Sequence, residues 1–147
     1  MQEKLINIWL IIFLTLETLN VLTLYFKPGF DKGNGVGAFK GWEVSKAIPN
    51  IHAFIRYLVY WVAGTKLIFI GLLILILVKG TLELKVWTSL VMAIAIASYY
   101  WKLHPIIRSL DKKGEISPEG YSKQLGLLIG IFMLFFLSCF LYGMTAL

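Results

Sequence analysis

Long apolar runs, separated by short polar or glycine-rich stretches, dominate this chain. The pattern predicts four helices of membrane-crossing length, at residues 4–26, 51–79, 84–110 and 119–146. A crossing takes about 20 mostly apolar residues. The first run has an unbroken apolar centre at Ile8–Leu14, followed by the polar group Glu17, Thr18 and Asn20. The second carries no polar side chain from Leu67 to Val78. In the third, the uncharged window Val86–Trp101 is short, so the reading needs Lys85 and Lys102 to snorkel outward. The fourth has no charge from Leu125 to Leu147 and is apolar around its whole circumference, the mark of a lipid-embedded rod rather than a one-sided helix.

Runs such as Ile68–Val78 do not alternate polar and apolar residues, which excludes a transmembrane barrel. Hydrocarbon offers no partner to open backbone groups, so helices are what remains. The predicted fold class is all-α: a polytopic integral membrane protein, a bundle of four transmembrane helices forming one membrane domain over residues 1–147.

The connections differ in kind. Residues 27–50 form a long first loop between Pro28 and Pro49, rich in glycine (Gly29, Gly33, Gly35, Gly37, Gly41). The second connection, near Lys79–Leu84, is so short that spans two and three read as a tight antiparallel hairpin. At the third, Asp111–Ser117, Gly114 is placed to end one helix in the left-handed conformation, and Ser117-Pro118 to cap and start the next. Pro105 removes a backbone donor and predicts a kink in span three.

Composition sharpens the membrane reading. Hydrophobic residues make up 59% of the 147 and charged residues 15%, against about 45–50% and about 25% in ordinary soluble domains. So short a chain cannot hide that much apolar surface in one core. The lone Cys139 has no disulfide partner within the chain and reads as a small packing residue. No small-x-small cleavage pattern follows the first run, so it reads as a span and not a cleaved signal.

Charge gives orientation. Lys27, Lys32, Lys40, Lys46, Lys102, Arg108, Lys112, Lys113 and Lys123 fall in or beside the first and third loops, while Lys4, Lys79 and Lys85 fall at the other end. The positive-inside rule then puts loops 27–50 and 111–117 in the cytoplasm and both termini outside the cell membrane. The net charge of +6 follows from that basic face, which suits anionic lipid headgroups. No nucleic-acid motif accompanies it, so nucleic acid is not an expected partner.

A few polar groups stand where they are costly. Lys66 lies near the middle of span two, where an ammonium costs about 2.5–3.5 kcal/mol on insertion scales. His52, Arg56, Val59, Ala63, Lys66 and Ile70 repeat at helical spacing and share one face, which must turn inward or line a wet cavity. Glu17 is the one acid deep in a span and the natural partner of Lys66, Arg56 or both, with Asn20 one turn away to hydrogen-bond its carboxylate. Three roles compete for Glu17, Asn20, Arg56 and Lys66: a pair that fixes helix register, a site for an ion, proton or anionic lipid, or snorkelling of the cations with no specific partner.

His52 and His104, on separate spans near one interface, are the only histidines and the only candidate haem b or metal ligands; the plainer role is a headgroup or helix-end contact. Gly126 and Gly130, extended back by Ser122, form a small-residue ridge for close helix packing, against another span or against a second copy in a homo-oligomer. The segment from Gly33 to Gly37 lacks the preceding strand a phosphate-cradling loop requires. Phe30, Phe39 and Trp42 interleave with Lys32, Lys40 and Lys46, as in a segment resting on headgroups, and Tyr57, Tyr60, Trp61, Tyr99, Tyr100 and Trp101 suit an aromatic belt or the lining of a quinone-like ligand site.

No carboxylate pair, His-Glu-x-x-His or nucleophile elbow is present. Three functional classes follow: a protein that binds or passes an ion, proton or anionic lipid; a membrane enzyme or redox subunit acting on a lipid-soluble substrate through His52, His104 and Arg56; and a structural subunit docking a partner on the basic Lys102–Lys123 hairpin.

Overall fold

The computed structural model describes residues 1–31 and 35–147. Six helices follow in order: α1 (Gln2–Phe26), α2 (Lys40–Ser45), α3 (Pro49–Lys79), α4 (Leu82–Ala97), α5 (Leu103–Lys112) and α6 (Tyr121–Met144), with single 3-10 turns at Val36–Ala38 and Ser98–Tyr100. No strand forms among the described residues. Four helical stretches are long and apolar enough to cross a membrane: α1, α3, Leu82–Lys112 (α4 with α5), and α6. These match the four runs in the sequence to within a few residues.

Helix ends follow local chemistry. Pro49 opens α3, where its missing N–H is no loss. The Gly80 N–H closes that helix onto the Ile76 carbonyl, and the Thr81 hydroxyl then caps α4 by accepting the Leu84 N–H at 3.3 Å. At the end of α5 the Gly114 N–H donates to the Asp111 carbonyl and the Glu115 N–H to the Leu110 carbonyl. This is a Schellman closure, with Gly114 at φ +69° as the left-handed residue, as predicted.

The start of α6 departs from expectation. Ser117 does not cap it, and Pro118 is not its first residue; their peptide bond is cis and the helix begins at Tyr121 after the left-handed Gly120. The Asp111 carboxylate supplies the cap instead. One oxygen accepts the Gly120 N–H at 3.1 Å, and the other accepts the Ser122 N–H at 2.9 Å and the Ser122 hydroxyl. An anionic acceptor outcompetes a serine hydroxyl for these exposed donors.

The kink in span three is present but lies before Pro105. Regular helix stops at Ala97, runs through the 3-10 turn and a bend at Trp101-Lys102, and resumes at Leu103. Pro105 has no N–H to bond one turn back, which frees the chain around Trp101 to bend.

The α3–α4 connection is as short as expected, yet these helices do not form a packed hairpin. α3 rests mainly on α1, and α4 mainly on α6. Three apolar clusters record this. Ile6, Leu10, Val86, Met92, Ala93, Phe136 and Cys139 join α1, α4 and α6, with Leu73 as the buried contribution from α3. Val21, Leu24, Val59, Ala63 and Ile70 join α1 to α3. Ala38, Ile107, Ile116 and Tyr121 seal the loop end. Cys139 is buried, as its apolar setting implied.

The first and third loops are fastened to each other at one end of the bundle. Phe39 and Ile116 form an isolated antiparallel bridge, the Lys40 N–H donates to the Glu115 carbonyl, and the Ser117 N–H to the Ala38 carbonyl. Gly37 folds back so closely on Gly29 and Phe30 that a Cβ there would overlap the Gly29 backbone. The rest of the glycine-rich stretch, Lys32, Gly33 and Asn34, lies outside the described residues.

The exterior of the long helices is apolar. Ile68 is 68% exposed, Val91 63% and Leu127 69%. In water such a surface would drive association; hydrocarbon is the solvent it matches.

Candidate functional site

The α3 face predicted to turn inward does so over its middle. Val59, Ala63 and Ile70 are buried against α1, and Lys66 lies on the same stripe. Its ammonium donates to Glu17 Oε2 at 2.7 Å and to Asn20 Oδ1 at 2.7 Å. Glu17 and Asn20, three residues apart on α1, present their side chains to the same neighbour. The pair is partly shielded, with 24% of the Lys66 side chain and 20% of the Glu17 side chain exposed.

Two details differ from the sequence reading. Asn20 accepts from Lys66 and does not donate to the Glu17 carboxylate. Arg56 takes no part: its guanidinium donates to the Tyr60 hydroxyl at 3.1 Å and lies over that ring. The ten residues between Arg56 and Lys66 amount to about 15 Å along the helix, too far for Glu17 to serve both.

Beside the ion pair lies a groove of about 500 Å³ between α1 and α6. Phe13, Leu16, Leu125, Leu128, Ile129 and Phe132 form its apolar walls; Glu17 and Asn20 supply polarity from α1, Gln124 from α6 and Asp31 from the first loop. A second cavity of about 320 Å³, lined by Ser98, Tyr99 and Lys102 among others, shares Phe13, Glu17, Ile129 and Phe132 with the first. Glu17 therefore serves two neighbours: one oxygen holds Lys66, and the side chain borders both hollows. The size and mostly apolar lining of the larger groove are those of a small-ligand site.

A second ion pair went unread in the sequence. Lys85, expected to snorkel out of span three, is buried and donates to Glu3 Oε1 at 2.8 Å. Only 5% of its side chain is exposed, against 50% for Glu3. Nearby on α1, Asn7 Oδ1 is buried without a hydrogen-bond partner. A polar Glu3, Asn7 stripe at the start of α1, matched by Lys85, Ser89 on α4, was the available signal. Between the two ion pairs, α1 offers Leu10, Phe13 and Leu14, all packed in the bundle.

The histidines occupy different clusters. The His52 ring lies against Trp42, with Nδ1 2.8 Å from the Ser45 hydroxyl. His104 lies among Tyr99 and Tyr100 and against Gly126. They share no contact partner, and no group of three His, Cys, Asp or Glu suited to a metal ion occurs among the described residues.

The Ser122, Gly126, Gly130 ridge is used within the chain. A Cβ on Gly126 would stand 3.0 Å from His104 Cε1, and one on Gly130 would stand 2.9 Å from the Tyr100 hydroxyl, which donates to the Gly126 carbonyl at 2.6 Å. Ser122 is engaged by Asp111. The bent segment from Tyr99 to Asp111 thus covers this face.

Comparison with family models, curated proteins and solved structures gives no match.

Proposed function

We propose that the chain is a four-span protein of the cell membrane that binds a lipid-soluble amphiphile in the α1–α6 groove, with the polar end at Glu17 and Asn20. The observation that carries this reading is the groove itself: apolar along its walls, polar at Glu17 and Asn20, with Lys66 neutralising that carboxylate from behind.

Binding is favoured over passage of an ion or proton. A conducting path needs polar groups or water along its length. Here the Glu17–Lys66 and Glu3–Lys85 pairs are separated by Leu10, Phe13 and Leu14. The groove is a pocket on one half of the bundle, not a pore through it.

The orientation follows the charge count. Loops 27–50 and 111–117, joined by the Phe39–Ile116 bridge, share the basic end, which is the cytoplasmic one by the positive-inside rule. Lys40, Lys46, Lys112, Lys113 and Lys123 are exposed there and suit anionic headgroups.

Mass spectrometry of molecules retained by the purified protein tests the reading. The expected result is one small amphiphile per chain, displaced when Leu128→Trp fills the groove. Retention unaffected by that substitution, or ion flux into liposomes that depends on Lys66 and Glu17, contradicts it.

A further inference from the structure

Resting on the groove reading, the chemistry of its lining narrows the ligand further. Two carboxylates, Glu17 and Asp31, border the groove, and among the described residues no lysine or arginine does. Glu17 gives Oε2 to Lys66, which leaves Oε1 without a hydrogen-bond partner among the described residues. Asp31 has neither a hydrogen bond nor an ion pair among them. Thr23 is spent, its hydroxyl donating to the Leu19 carbonyl at 2.9 Å. Among the described residues that line the groove there are two carboxylates and no cation, and Lys66 offsets one of the two from outside the lining.

We propose that the groove takes an amphiphile with an ammonium head: the tail lies along Phe13, Leu125, Leu128 and Phe132, and the head reaches Glu17 Oε1. An ammonium supplies both the charge and the hydrogen-bond donors that this oxygen lacks. A carboxylate or phosphate head would meet the Glu17 carboxylate and find no cation among the described lining residues to pair with. Lys102, the cation nearest in kind, lines the smaller cavity and not this one. Asp31 stands near the first loop, where water and salt weaken its pull, so its part is to draw the head in rather than to hold it.

The test uses the detergent-purified full chain and three probes of equal tail: dodecylamine, dodecanol and dodecanoate. Occupancy is read by native mass spectrometry and by thermal shift. Dodecylamine should bind once per chain, at least about tenfold tighter than dodecanol, the share of a charge-assisted hydrogen bond. Dodecanoate should bind weakest. The double variant Glu17→Gln/Lys66→Met, which removes both charges together and leaves no bare ammonium, should abolish the preference while keeping alcohol binding. Asp31→Asn, which leaves the ion pair untouched, should weaken the amine only at low salt. Equal binding of amine and alcohol, or better binding of dodecanoate, overturns the ammonium assignment but leaves the groove reading intact, provided Leu128→Trp still blocks binding. If none of the probes binds in a manner sensitive to Leu128→Trp, both readings fail.

Discussion

Lys66 and Glu17 are 49 residues apart in the chain and 2.7 Å apart in space, Nζ to Oε2. That contact ties α3 to α1 and gives the α1–α6 groove its polar side. Replacing one partner leaves the other charge shielded without a counterion, which is worse than losing both. Lys66→Met and Glu17→Gln should each destabilise the bundle by about 1–3 kcal/mol, with the double variant losing less than the sum. Unfolding in mixed micelles checks this, and additive losses would show that the two groups are independent.

The same logic orders the second pair. Lys85 is buried, and Glu3 is half exposed. Glu3→Leu strands a buried ammonium, whereas Lys85→Met replaces it with an apolar chain of similar length. The first should therefore cost more than the second, by about 1 kcal/mol or more. The unfolding midpoints of the two variants decide it, and the reverse order would mean that Lys85 reaches polar surroundings.

Gly143 tests the contact between α4 and α6. A Cβ there would overlap Val86 Cγ2 and stand 3.3 Å from Ile6 Cδ1. Val86 is fully buried and branched, so it cannot turn aside. Gly143→Ala should destabilise by about 1–3 kcal/mol. Val86→Ala should recover part of that loss when added to Gly143→Ala, although alone it is destabilising. Thermal unfolding of the three variants measures the coupling.

Asp111 caps α6 from the preceding helix. Asp111→Ala should cost about 1 kcal/mol, the usual worth of a lost cap. Asp111→Asn, which keeps one acceptor, should cost less. Amide exchange at Gly120 and Ser122, whose N–H groups bond to that carboxylate, should rise in both.

The four long helices were readable because hydrophobic run length is a strong signal that needs no partner. The inward face of α3 was readable for a related reason: a lysine among apolar residues is costly enough to name its own side of the helix. Its partner was readable because Glu17 has no rival at that depth. What stayed hidden depends on distances between elements. Nothing local told Lys85 that the start of α1 would bring Glu3 to it, so outward snorkelling was the sensible default. The cap on α6 comes from Asp111, nine residues before the first N–H it accepts, which no local capping pattern at Ser117-Pro118 announces. The pairing of α3 with α1, rather than with α4, reflects which faces fit, and a short connection constrains only the ends. The groove has no sequence signature, being the space left between α1 and α6.

The most direct test is solid-state NMR dipolar recoupling between Lys66 Nζ and Glu17 Cδ in protein reconstituted in liposomes, with Lys66→Met identifying the signal. The contact at 2.7 Å from Nζ to Oε2 predicts strong dephasing in the bilayer. If Lys66 Nζ shows no coupling to that carboxylate, or couples instead to lipid phosphate, the ammonium lies outside the bundle and the proposed binding site is lost.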